Sequence, residues 1–430
     1  MNAEVIIMAR EIRLITPEYI EDYLTIYLNA YPAYKNTGEE GRDKYRPRIL
    51  NSMENDKNIH FYGLFEDGKL IAQMKVLDFT MNAFGRMVKA TGLMALGVHP
   101  MHKKKGAARD MVKFFEEYTR KTGAVVAMLL PFRMDFYRKM GYGYGSKMDE
   151  YRLPSLSLPE ASREELDKIE FLGWDGEATA EILECHSAFA EQNHGMLCKF
   201  EDEIRALDGD SETRRAGYYE DGILKGYAAY RVVCESDVNY TLNRMEVDEL
   251  VYLEPKVLTA LLGFLRNQSD LAQTVVIRSG EPDFYHILPS AQDTSGNYMD
   301  FGFLQTNLGA VGTMYKIVDP AHFIRETSYR KFVPADITAR FVYDDEFEHC
   351  TENVTVNFGP EGQWSAVSDD AEADVEVRCT LAELSSLFMG SCSFSSLVRM
   401  GAVTLSEPGY EEMLDMFFYY RQKPWTNTDY

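Results

Sequence analysis

The 430-residue chain has no CxxC pair and no HxxxH pair among its six cysteines and eight histidines, and no cysteine falls in the first 150 residues. No metal centre is expected, and the scattered thiols read as reduced. Apolar runs are short as well. The longest, GAVVAMLLPF from Gly123, is about half the roughly 20 residues a membrane helix needs. The opening MNAEVIIMAREIRL has neither a basic n-region nor a small-residue cleavage site, so a cytoplasmic protein without membrane contact is expected. Positive charge is scarce too: 45 Lys and Arg against 68 Asp and Glu leave a formal net charge of -23. Phosphate backbones need a broad basic face, so nucleic acid is not an expected partner. An acidic field favours cationic ligands such as amines, although acidity also serves solubility alone.

What is present points to several domains, because a chain of this length exceeds one ordinary core. The first 150 residues alternate helix and strand signals. TPEYIEDYLTIYLNAY places Tyr19, Tyr23, Ile26 and Tyr27 on one face after a Thr-Pro start. IHFYGLFEDGKLIAQMKVLDF is two apolar runs joined by Asp67-Gly68, a hairpin signal. TGLMALGV is a strand, AARDMVKFFEEYTRKTG an amphipathic helix stopped by Gly123, and AVVAMLLP a buried parallel strand. LPSLSLPEAS, Leu153 to Ser162, reads as a linker. Beyond it the pattern recurs: Asp67 and Pro100 lie 33 positions apart, Asp221 and Pro255 34. That is a duplicated domain or a chance likeness of two α+β folds. From about Met314 alternating strands and then helices follow, ending in GYEEMLDMFFYY and the tail RQKPWTNTDY.

The copies differ after the proline. Pro100 is followed by Met-His-Lys-Lys-Lys-Gly-Ala-Ala, Pro255 by Lys-Val-Leu-Thr-Ala-Leu-Leu. A helix beginning near Gly106 offers unpaired N–H groups and the positive end of its dipole, and Lys103, Lys104 and Lys105 raise the local potential. Neither GxxxxGK[ST] nor GxGxxG is present. The residues alone leave two readings, a pyrophosphate cradle or a solvated basic loop.

Lys103-Lys104-Lys105-Gly106-Ala107-Ala108 resembles the [RQK]-x-x-G-x-[GA] acetyl-CoA loop of GNAT N-acetyltransferases, and FYRKMGYGYG is similar to their FYxKxGF segment. Two GNAT-like copies, the second degenerate, and a last part in which CTLAELSSLFMGS resembles a sterol-carrier-protein helix match the layout of the enhanced intracellular survival (Eis) acetyltransferases. The resemblance implies a mixed α+β and α/β architecture: a catalytic GNAT domain over 1–152, a degenerate one over 160–313, and a sterol-carrier-like domain over 314–430. It implies acetyl-CoA as cosubstrate, with pantetheine on Leu96, Gly97 and Val98, the pyrophosphate on Lys104, Lys105, Gly106, Ala107, Ala108 and Arg109, and further contacts from Phe132 and Arg133. Tyr137 would be the general acid and the C-terminal carboxylate of Tyr430 the base. Glu39 and Glu40, in the segment between the first two helices, could hold the amine of an aminoglycoside, polyamine or lysine-type acceptor, or be merely solvated. A homo-oligomer, a hexamer in relatives, is also implied. The competing expectation is a protein that binds acyl-CoA or lipid without catalysis.

Overall fold

The structure is a computed structural model that describes residues 10–31, 36–207 and 212–428. Its first sheet is built from β1 (Arg10–Leu14), β2 (Ile59–Glu66), β3 (Lys69–Ala83), β4 (Arg86–Val98), β5 (Val126–Leu129) and β6 (Gly143–Tyr144). Helices α1 (Ile20–Ala30) and α2 (Glu39–Asn55) join β1 to β2, α3 (Ala107–Thr122) joins β4 to β5, and α4 (Met134–Arg138) leads to β6. Asp67 and Gly68 both have positive φ, 50° and 77°, as the tight turn between β2 and β3 requires. Because α3 carries the chain across, β4 and β5 run parallel, pairing from Ala90–Val126 to Leu93–Leu129 and no further.

The second sheet repeats this plan with β7 (Lys147–Pro154), β8 (Ile169–Phe171), β9 (Arg214–Glu220), β10 (Ile223–Cys234), β11 (Asn243–Tyr252) and β12 (Thr274–Ser279). Helices α5 (Arg163–Leu166), α6 (Gly176–Gln192), α7 (Glu201–Leu207) and α8 (Pro255–Arg266) accompany it. A small hairpin, β13 (Tyr298–Met299) with β14 (Phe303–Leu304), precedes β15 (Leu308–Val311), the edge strand. Again two parallel strands, β11 and β12, pair only as far as Val247–Ile277.

The two sheets exchange strands. β7, directly after the first sheet in sequence, enters the second sheet between β12 and β15. β16 (Met314–Lys316), directly after the second, enters the first between β5 and β6. Two expectations change as a result. The Pro/Ser-rich stretch from Leu153 begins in a central strand, with Leu153, Ser155 and Leu158 buried, so its composition marks a strand end and a turn. Residues 314–316, grouped by sequence with the last domain, belong to the first sheet.

The remainder forms a five-stranded sheet of β17 (Ile337–Asp345), β18 (Cys350–Phe358), β19 (Trp364–Val367), β20 (Val375–Thr380) and β21 (Thr404–Leu405), with α9 (Pro320–Glu326), α10 (Leu381–Phe388), α11 (Phe394–Arg399) and α12 (Glu411–Phe418). Aromatic rings fill its core: Phe358 stacks on Phe417 at 4.3 Å and Phe388 on Phe418 at 5.6 Å. Buried Arg330 sits 4.2 Å from the Phe84 ring centre and donates to the carbonyls of Phe388, Phe417 and Phe418; burial holds its pKa down to about 9. α10 docks on β6 because Gly143 has no side chain: a Cβ there would lie 2.2 Å from the Ala382 carbonyl oxygen.

Candidate active site

Where the pairing of β4 and β5 ends, the strands diverge and leave a gap. β4 accentuates it with a bulge: its register against β3 slips between Gln73 and Lys75, and Ala95 takes φ 53°. Into the gap opens a cavity of about 430 Å3, walled by Leu96, Gly97 and Val98 on β4, by Lys103 to Arg109 except Lys105, and by Phe132, Arg133, Phe136 and Tyr137. Ala30 and Tyr31 of the α1 end complete the wall, and sequence reasoning named every wall residue but Ala30, Tyr31, Lys103 and Phe136 as binding or catalytic. Gly97 sits under α1, where a Cβ would meet Ile26 and Ala30 at 3.0 and 3.1 Å.

The loop before α3 turns through two positive φ angles, 62° at Lys104 and 85° at Gly106. Gly106 is the N-cap of α3, and the space where its Cβ would stand is open apart from Arg10 at 4.0 Å. The glycine therefore serves the left-handed backbone more than it clears room for a ligand. Its effect is to start a 16-residue helix at the cavity wall, where Ala107 and Ala108 of the first turn, whose N–H groups have no partner within the helix, line the space. Lys105 is placed apart: its carbonyl accepts a bond from Arg10, whose guanidinium also reaches Asp110 at 2.8 Å and Glu66 at 2.9 Å. Arg10 thus ties the cradle to β1 and β2, and nothing in the local motif could have revealed it.

Tyr137, on the single-turn helix α4, is 4% exposed. Its hydroxyl finds no hydrogen-bond partner among the described residues, and burial pushes its pKa up to about 12. It also walls a neighbouring cavity of about 160 Å3, together with Tyr27, Tyr31, Met94, Leu96 and Phe132. Tyr31 donates to the Leu96 carbonyl at 3.1 Å. Glu39 and Glu40 open helix α2, both exposed; Glu39 pairs with Arg46 at 3.0 Å and Glu40 accepts from Asn36 at 2.7 Å. Neither is a wall of the two cavities.

Tyr430 lies outside the described residues; the tail before it is docked as far as Thr428. The Trp425 N–H donates to the His194 carbonyl at 3.0 Å, and Asn427 meets His186 at 3.3 Å. The Trp425 ring lies against Gly280, where a Cβ would be 2.3 Å from it, and 6.1 Å from Phe189. Gly280 directly follows β12, so Trp425 stands beside the divergence of β11 and β12, the counterpart of the cavity in the first sheet. His194 joins all three domains. Its Nδ1 accepts from the Phe84 N–H at 3.2 Å, so Nε2 carries the proton and donates to the Met389 carbonyl at 2.9 Å. Burial holds its pKa down to about 4.

One sequence signal was missed. Asp135-Phe136-Tyr137 recurs after β12 as Asp283-Phe284-Tyr285. There Phe284 is buried against Tyr151 and Tyr285 is 40% exposed beside His286.

Among the described residues no His, Cys, Asp and Glu cluster is placed to hold a metal, and no helix is long and apolar enough to cross a membrane.

A parallel pair splayed over a helix N-terminus, occurring twice, defines the class, and comparison with known families agrees. Residues 11–145 and 195–301 match two acetyltransferase (GNAT) domain families, and residues 322–427 match a sterol carrier protein domain family. The chain carries two tandem GNAT domains followed by a sterol-carrier-protein-like domain, and it is an acetyltransferase. No curated protein sequence matches significantly. Among solved crystal structures, a probable N-acyltransferase from Enterococcus faecalis V583 aligns over 99% of this chain and 100% of its own, with TM-score 0.77 and 17% identity. A GCN5-related N-acetyltransferase from Kribbella flavida aligns over 100% of both chains (TM-score 0.75, 18% identity), and Eis1 from Mycobacterium abscessus over 98% of this chain and 100% of its own (TM-score 0.74, 18% identity). At such identities the likeness concerns the fold.

Proposed function

We propose that the first domain transfers the acetyl group of acetyl-CoA to a primary amine of a cationic acceptor of aminoglycoside, polyamine or lysine type. Tyr137 is the general acid and the α-carboxylate of Tyr430 the base. The observation that carries this reading is that Tyr137 is shared between the cavity under the α3 N-terminus and the smaller aromatic one, with its hydroxyl unpartnered among the described residues. The thioester supplies the acyl group and the thiolate leaving group. The amine nitrogen bonds the acetyl carbon, the carbon–sulfur bond breaks, the sulfur takes the phenolic proton, and the amine proton passes to the carboxylate.

Burial makes the phenol a weak acid. A group at about 12 protonating a thiolate whose acid lies near 8.5 works uphill by about 5 kcal/mol. The same exclusion of water raises the thiolate's own basicity, which narrows the gap. Tyr27 and Tyr31 bring aromatic rings to the wall of the smaller cavity, which suits a cationic amine, and the formal charge of -23 favours cations.

A cytoplasmic homo-oligomer, a hexamer by resemblance, completes the proposal. The exposed apolar side chains of Tyr298, Met299, Phe301 and Phe303 support a contact between copies; sedimentation tests it. The ring-filled core of the last domain speaks against lipid carriage there. Thiol release from acetyl-CoA across a panel of primary amines tests the reaction. Unchanged turnover in both Tyr137→Phe and a chain lacking Tyr430 would remove the mechanism.

A further inference from the structure

The cofactor cavity shares Arg109, Arg133 and Phe136 as walls with another of about 470 Å3. One side of this neighbour is made by α3 and α4, including Lys139. The other is the turn between β17 and β18, which brings Glu346, Phe347 and His349 from the third domain.

That turn is held in advance. The Asp345 carboxylate accepts from the backbone N–H groups of Phe347 at 2.9 Å and Glu348 at 3.1 Å. Asp345 in turn faces Lys316 at 3.8 Å, a wholly buried ammonium that pairs with Glu116 of α3 at 2.8 Å. From the same helix, Arg109 donates to the Phe347 carbonyl at 2.6 Å and Lys113 meets Glu348 at 2.5 Å. His349 is fixed at φ 57° by the hairpin that closes through Asp345 and Cys350. The helix that cradles phosphate and the turn of the last domain are therefore one assembled wall.

We propose that this neighbouring chamber receives the adenosine 3′-phosphate end of coenzyme A, so that the third domain takes part in choosing the cofactor. The inference rests on the acetyl-CoA reading of the first domain. Size argues for it. The first cavity, at about 430 Å3, lies low in the roughly 300–1,000 Å3 range of ligand sites, yet it already extends from Tyr137 to the cradle. A nucleotide attached beyond the cradle must leave it, and the shared walls mark where. Charge argues for it as well. Arg133 engages Asp135, whereas Lys139 has no ion-pair partner among the described residues, and His349 is exposed. The carboxylates on its walls are Glu346 and Asp135, the latter neutralised by Arg133. An ammonium and an imidazole, held on two domains, suit a phosphate dianion.

Calorimetric titration of the whole chain with coenzyme A and with 3′-dephospho-coenzyme A tests the assignment. The expected result is a preference for coenzyme A of about tenfold or more, equivalent to one decade of affinity. Lys139→Ala together with His349→Ala should abolish that preference and leave affinity for the dephospho form as it was. Equal loss toward both ligands, or a preference that survives the double substitution, overturns the assignment. If the unaltered chain binds neither ligand, the acetyl-CoA reading itself has failed, which separates the two outcomes.

Discussion

The two acetyltransferase domains share a sheet plan, a diverging parallel pair and even an Asp-Phe-Tyr sequence after the second parallel strand. They differ in what occupies the divergence. In the first it is open, lined by a glycine-capped helix and by Tyr137. In the second the helix starts with Pro255 and no glycine loop, and the Trp425 ring lies against Gly280. The same divergence is thus an open cavity in one place and the seat of the chain's own tail in the other. The strand exchange ties the two copies together: β7 completes the second sheet, and β16 fills the place between β5 and β6 in the first.

The comparison can be broken or sharpened by experiment. The largest contrast is between Tyr137 and Tyr285. Tyr137→Phe should lower kcat about 100- to 1,000-fold, in the range of a positioned general acid, whereas Tyr285→Phe should leave it unchanged; steady-state rates decide. Because burial raises the Tyr137 pKa to about 12, the phenol stays protonated, and activity should show no alkaline loss from its ionisation up to about pH 10.

The junction on which both domains rest should respond to acid. His194 titrates near 6.5 when unfolded but is held near 4 when folded, so below 6.5 the unfolded chain binds a proton the folded one refuses. Stability is complete above pH 6.5 and is lost as pH falls toward 4, by up to about 3 kcal/mol. Thermal melts across that window measure it, and the slope should shrink in His194→Gln.

Trp425→Ala should cost about 2 kcal/mol, below the full value for a wholly buried ring, and lower Tm while coenzyme A affinity holds. A parallel fall in that affinity would mean the two clefts are coupled. The smallest effect is at the cradle. Gly106→Ala imposes a side chain on a left-handed residue for about 1 kcal/mol, weakening coenzyme A several-fold, while Lys256→Ala at the corresponding helix of the second domain should not weaken it.

Much of the first domain's local geometry, including the place of Tyr137 on the cavity wall, was legible because it is set by near neighbours. The Asp-Gly turns, the strand–glycine loop–helix order and Tyr137 each follow from a few consecutive residues. The repeat spacing showed that the plan occurs twice. The strand exchange was not legible, since β7 and β16 look alike whichever sheet they join, and the Pro/Ser composition after Leu153 imitates a linker. Arg10 escaped notice because it is separated by 95 positions from the loop it braces. Glu39 and Glu40 were readable as charges, and only packing shows them turned to Arg46 and Asn36.

By itself the sequence determined the elements, their order and most residues around one cavity at the start of α3, because turns, helix caps and amphipathic periods are set by neighbours in the chain. Only the tertiary structure decided which sheet each strand enters, that the tail engages the second divergence, and that the third domain meets the first beside the cavity at the start of α3. Those outcomes depend on burial shared between distant segments, and no short stretch of sequence encodes its partner.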